Sequence, residues 1–401
     1  MFAGYPPTSN VKRIPPTTEG PMNASSPALS AKPRFAFLDY GRVVACVMVV
    51  LFHAAGTASK DKYFGPHALS DVMALGFVRM PFFFAMSGFL LSWFYLRPGG
   101  QRVGAGEFFA KRASRLFPMY WIVLLLVAAA EIFVLKRHGE IPEGWDWWAM
   151  VLLVPRDVTV VGGTGAALLY PAWVLQYELV GYLLIAAAVA SQRARLAYLY
   201  GFPVFYVLFA DSPVFALRFL GSDWLLIFWL GAVAACAART WSAERLRAVL
   251  RLSLASLVAA MVLHWAGGDE EAVTGWKSWV NMDLAYGICF ALLMAGMINH
   301  SRAAPAAAEP GAMSRWVTRM ALWSYAIFLL HAPVITFVCR FLVKAGVSNE
   351  VGWPLAVMLS LVVSVVAGAV AERLIEAPVD RLIGRAWRWF KNGRAAAASA
   401  R

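Results

Sequence analysis

Charge is scarce in this chain: 15% of its 401 residues are Asp, Glu, Lys or Arg, against 60% that are apolar. That balance excludes a disordered protein, which needs the reverse. It also excludes an ordinary soluble enzyme, because one water-soluble core cannot hide so much apolar surface. Cysteine is scarce too. Cys46, Cys236, Cys289 and Cys339 each sit in an apolar run without a CxxC pair or Cys/His ligand spacing, so neither disulfides nor a metal site are expected. The soluble catalytic signatures GxSxG, GxxxxGK[ST] and HExxH are missing. His67 and Asp71 fall one residue short of the HxxxxD spacing of glycerolipid acyltransferases. Residues 1–34 are rich in Pro, Ser and Thr and lack the apolar core of a signal peptide, so they read as a disordered tail.

What the chain has is long apolar runs and a mean hydropathy of +0.62. A transmembrane helix needs about 20 mostly apolar residues. Ten stretches qualify, centred near residues 47, 86, 125, 181, 203, 230, 258, 289, 331 and 363. The expected fold class is therefore all-α, a polytopic integral membrane protein of about ten spans with both termini on one side. The segment Trp147 to Pro155 is too short to cross and reads as an interfacial or re-entrant piece within the loop 135–171.

The net charge of +13 would elsewhere point to nucleic acid. Here topology explains it, because loops rich in Lys and Arg stay cytoplasmic. With ten spans, 25 of the 36 basic residues fall on the side of the termini and eight on the other, while Arg42, Arg79 and Arg340 lie in or at the edges of spans. Both termini are expected in the cytoplasm, the bilayer is the expected partner, and no nucleic-acid partner is expected.

Ionisable side chains at bilayer depth are costly and mark sites. Arg42 and His53 lie eleven residues apart in the first span. Eleven helical steps return to within about 20° of the starting face and rise about 16 Å, so the two share a stripe. Asp39 falls near that stripe. Taken singly, Arg42 can snorkel, Asp39 can pair with it, and His53 can cap the outer end. Span two carries Ser87 and Gly88, a small-residue site that equally suits helix packing. Arg112 and Arg115, one turn apart at the inner surface, suit phosphates, although positive-inside anchoring also accounts for them. Glu178 sits about 9 Å into a helix entered from outside, at a depth similar to His53, and a His/Glu pair there is an orienting arrangement for base catalysis. His331, near the middle of span nine, reads equally as a structural hydrogen bonder or a site residue.

Together these features resemble the acyltransferase 3 family of bacterial membrane acyltransferases, over residues 35 to 385. The resemblance rests on the Arg42 and His53 spacing, Ser87 Gly88 Phe89 Leu90 Leu91, Arg112 with Arg115, Trp173 with Glu178, Leu330 His331, and Glu376 with Pro378. The chain departs from the family pattern at Tyr40 Gly41, and at Gln176 where a serine is common. The resemblance implies transfer of an acyl group, most often acetyl, from cytoplasmic acyl-CoA to a hydroxyl of an extracytoplasmic carbohydrate or glycolipid, in a bacterial plasma membrane. It places a membrane acyltransferase domain at 35–385, followed by a basic cytoplasmic tail at 386–401, acting as a stand-alone module. His53 is then the base, oriented by a carboxylate such as Glu178. Arg42 holds the oxyanion or the pantetheine arm, and Arg112 and Arg115 hold the CoA phosphates. An acyl-imidazole route stays open. The rival reading is a transporter or flippase, for which intramembrane His, Glu and Arg form a proton relay, although no two halves with matching helix breaks are found.

Overall fold

The computed structural model describes residues 35–70, 78–97, 103–136, 141–162, 164–166, 168–266, 281–303 and 311–399. The predicted tail 1–34 lies outside them. The described residues contain helices and no strand. In order these are α1 (Ala36–Ala58), α2 (Arg79–Tyr95), α3 (Ala105–Ala129), α4 (Gly144–Val151), α5 (Ala172–Ala190), α6 (Phe202–Phe209), α7 (Asp223–Thr240), α8 (Ala243–Ala266), α9 (Met282–Ala303), α10 (Ala312–Lys344), α11 (Asn349–Ala371) and α12 (Ala377–Ser399). Shorter helical pieces at Val158–Val161, Gln192–Leu196 and Phe215–Leu220 join them, and π-helical turns at Ala130–Val134, Ala197–Gly201 and Glu372–Glu376 extend α3, lead into α6 and link α11 to α12.

All ten expected centres fall in helical residues. Eight helical runs among the described residues are long and apolar enough to cross a membrane. The protein is an all-α, multi-pass membrane protein. The centres near 86 and 203 lie outside those eight. Helix α2 has 17 residues, and the run leading into α6 carries Arg193 and Arg195. Helix α10, with 33 residues, is about 50 Å long against a hydrocarbon core of about 30 Å, so it tilts or projects beyond the core. The Trp147 segment forms α4, a helix of eight residues that is too short to span. Tyr120 and Trp121 of α3 hold its end by donating to the carbonyls of Met150 at 2.6 Å and Val151 at 2.9 Å.

Helix α2 is apolar on every face, which is the pattern of a fully surrounded helix, and most of its residues are buried. It packs against α7, α9 and α1. The approach to α7 depends on glycine. A Cβ on Gly88 would stand 1.8 Å from the Phe228 carbonyl oxygen, and one on Gly231 would stand 2.0 Å from that of Ala85. Backbone meets backbone there, as at the small-residue interfaces of membrane helices. The carbonyls at the end of a helix run short of intrahelical donors; in α2 that of Ser92 still accepts from the Leu96 N–H at 3.0 Å. Arg239 of α7 adds donors there, to the carbonyls of Ser92 at 3.1 Å, Leu96 at 3.4 Å and Trp93, and its cation suits the negative helix end. Helix α1 packs on α10 and α11, so the stripe carrying Arg42 and His53 runs between the α2 side of the bundle and α10.

Candidate active site in two cavities

The stripe on α1 opens into two cavities. The first, of about 220 Å³, has Arg42, Ser87, Arg112, Arg115, Glu178 and Tyr325 in its wall. The second, of about 610 Å³, is lined by His53, Thr57, Lys60, Ser70, Tyr170 and Thr336 among others. One helix therefore delivers Arg42 to one chamber and His53 to the other.

In the first cavity the Ser87 hydroxyl donates to a Glu178 carboxylate oxygen. Arg42 donates to the Met86 sulfur at 4.0 Å, with Asp39 and Glu178 in electrostatic reach of its guanidinium. Arg112 donates to the Tyr95 hydroxyl at 3.1 Å, and its guanidinium carbon lies 5.3 Å from that ring. Tyr325 donates to the Leu116 carbonyl at 2.7 Å, tying α10 to α3. Arg42, Arg112 and Arg115 share this cavity with one lining carboxylate, Glu178, while Asp39 lies in electrostatic reach of Arg42 and Glu376 in reach of Arg115; guanidinium donors gathered in this way suit an anion such as a phosphate.

Beside the second cavity, which His53 and Phe52 line, Arg79, only 8% exposed, sets its Nη2 3.4 Å from Nε2 of His53 and its guanidinium carbon 3.8 Å from the Phe52 ring centroid. The His331 ring lies 5.2 Å from the His53 ring, and Tyr170 packs edge-on at 5.7 Å. His331 donates from Nδ1 to the Phe328 carbonyl at 2.6 Å, which leaves its Nε2 as the lone-pair nitrogen. That nitrogen is buried without a hydrogen-bond partner among the described residues. At the rim, Trp353 donates to Ser59 at 2.9 Å, Ser59 pairs with Ser70 at 2.8 Å, and His67 stacks on Trp353 at 4.1 Å.

Two expected partnerships are corrected by this geometry. Glu178 does not orient His53, since its carboxylate faces Ser87 and Arg42 in the other cavity. Arg42 lies about 16 Å along α1 from His53, so it cannot hold an oxyanion formed there. Gln176 does not face either cavity. It is buried and donates to the Val154 carbonyl at 3.2 Å and the Gly165 carbonyl at 3.3 Å, pinning the long loop onto α5. The structure brings together Arg42, Ser87, Arg112, Arg115 and Glu178 in one chamber, and His53 with His331 near the other. Arg79, Tyr170 and Tyr325 were not singled out from sequence. Arg79 had a usable signal: an arginine at the outer end of a span, on the side where basic residues are few.

The chain matches the acyltransferase 3 family, described as an acyltransferase domain, over residues 35–373. The chain belongs to that family. Acyltransferase MdmB of Streptomyces mycarofaciens is 25% identical over 356 residues, 79% of this chain and 84% of that protein. Protein 2 in picA locus of Rhizobium radiobacter is 33% identical over 160 residues, 37% of this chain and 78% of that protein. No solved structure matches. As an acyltransferase 3 protein the chain is a membrane-bound O-acyltransferase, and both cavities fall within the matched residues.

Proposed function

We propose that the protein takes an acyl group, acetyl in the first instance, from cytoplasmic acyl-CoA and transfers it to a hydroxyl of an extracytoplasmic glycan or glycolipid, with His53 as general base, in a bacterial plasma membrane. The observation that carries this reading is the division of one helix's polar stripe between an arginine-lined chamber and a histidine-lined one. Two substrates of opposite character need two such places. The charge count supports a cytoplasmic face for the Arg112 and Arg115 end. Arg112 and Arg115 supply guanidinium donors to CoA phosphates. Arg42, further in, suits a polar group of the pantetheine arm. The hydroxyl side chains of Thr57, Ser70 and Thr336 around His53 suit a polyhydroxylated acceptor.

In the reaction His53 Nε2 takes the proton of the acceptor hydroxyl while its oxygen adds to the thioester carbonyl carbon. Collapse of the tetrahedral adduct breaks the carbon–sulfur bond, and the proton leaves on the CoA thiol. In this reading residues 35–385 form the catalytic domain, and the charge count supports a cytoplasmic position for the basic segment 386–401.

The test is transfer from radiolabelled acetyl-CoA in inside-out membrane vesicles carrying wild type or His53→Ala, with label followed into the glycan and lipid fractions. A general base contributes about 10²- to 10⁴-fold, so His53→Ala should lose transfer by that factor at equal folded protein. Label that is equal in the two vesicle types overturns the assignment of His53 as the base, and label absent from both points to an acyl donor other than acetyl-CoA.

A further inference from the structure

We propose that Arg79, beside His53 of the outer cavity, is a catalytic residue whose guanidinium holds the oxyanion formed when the acceptor oxygen adds to the thioester at His53. This rests on the reading of His53 as the base.

A guanidinium has donors and no lone pair to offer. At 3.4 Å from Arg79 Nη2, His53 Nε2 is therefore the accepting nitrogen, and its ring proton sits on Nδ1. The lone pair that would accept a hydroxyl proton and an N–H that would donate to an anion thus lie 3.4 Å apart and paired with each other, so a substrate that enters between them meets both. That is the relative placement an addition to a carbonyl needs, with the attacking oxygen on the base and the carbonyl oxygen on the donor. The Arg79 side chain is fixed for this. Its planar head lies 3.8 Å from the Phe52 ring centroid, and Tyr170 and Asp283 are within electrostatic reach of it. It is buried near the end of α2, the helix most completely surrounded by the bundle, so it reorganises little when charge appears. Arg42, about 16 Å away along α1, cannot serve.

The acceptor O–H proton moves to His53 Nε2, the carbon–oxygen bond forms, and the carbonyl π pair becomes the oxyanion held by Arg79. The pair returns, the carbon–sulfur bond breaks, and the thiolate takes the proton from His53 to give CoA and the acyl ester.

The experiment varies radiolabelled acetyl-CoA over inverted vesicles carrying wild type, Arg79→Gln, Arg79→Lys or His53→Ala. Rates are normalised to the protein that is monodisperse after detergent extraction. Arg79→Gln should lower the maximal rate by about 10²- to 10³-fold, as removal of an oxyanion donor does, with KM for acetyl-CoA within about twofold. Arg79→Lys should recover part of the loss through its retained charge. Arg79→Gln at wild-type rate per folded molecule, or changed only in KM, overturns the role of Arg79 while a dead His53→Ala leaves the base reading standing. Loss confined to the amount of folded protein, equal for Lys and Gln, also overturns it. A wild type without transfer, or an active His53→Ala, overturns both readings together.

Discussion

The Ser87 hydroxyl donates to the Glu178 carboxylate across the packing of α2 against α5, and both residues line the cavity that holds Arg42, Arg112 and Arg115. Tyr182, in the same cavity, is a second hydroxyl within hydrogen-bonding reach of this carboxylate, and Ser87 is the donor in direct contact with it. Removing a buried partner costs the full desolvation of the group left behind, about 1–3 kcal/mol or more where that group is charged. Ser87→Ala should lower the melting temperature of the detergent-solubilised protein, and adding Glu178→Gln should restore part of it. A double-mutant cycle that shows no coupling contradicts the pairing.

Arg112 and Arg115 offer a direct test of the donor chamber. A hydrogen bond to a charged partner contributes about 1.5–3 kcal/mol, a factor of about 10 to 150. Arg112→Ala and Arg115→Ala should each raise KM for acetyl-CoA by that order, more at low salt than at high, with the maximal rate little changed. Lysine at either position should keep part of the affinity as a point charge. An unchanged KM in both alanine variants leaves only the anchoring reading of the pair.

The contact of α2 with α7 predicts an asymmetry among glycines. Gly88→Ala drives a methyl group against the Phe228 carbonyl, a backbone atom that cannot rotate away. The cost should reach the upper end of the about 1–3 kcal/mol typical of overpacking, or exceed it. Gly106→Ala in the first turn of α3 meets nothing within 4 Å and should gain up to about 1 kcal/mol from helix propensity. Folded yield and melting temperature in detergent measure both, and equal behaviour of the two variants contradicts the packing.

The long loop after α4 is tied down by Asp157. Thr159 donates to that carboxylate from its backbone at 3.0 Å and its hydroxyl at 2.8 Å, and Arg218 pairs with it at 2.8 Å. The Thr159 hydrogen bonds first, and then Arg218, hold the Asp157 carboxyl below the usual carboxylate range. A carboxyl lowered in the folded state stabilises it while ionised; that contribution is complete above the ordinary value and lost as pH falls through the folded one. Protease cleavage within 141–171 should therefore stay at its basal level from pH 8 down to about pH 4, whereas Asp157→Asn should raise it across that range. A wild-type loop that opens near pH 6 contradicts the tie.

The sequence by itself determined the solvent, the helices and the family. Apolar runs of about 20 residues have one low-energy answer in a bilayer, since every backbone group must be satisfied within its own segment. The helical period then put Arg42 and His53 on one face of α1 without knowledge of any neighbour. Only the tertiary structure decided the partners. Depth along a helix is a property of one segment, but contact depends on which faces meet, and that is set by packing choices such as Gly88 against Phe228 and Gly231 against Ala85. Glu178 shares an expected depth with His53, yet α5 turns it to Ser87 and Arg42. Arg79 counted only as a charge at the edge of a span until α2, surrounded on all sides, carried it to His53.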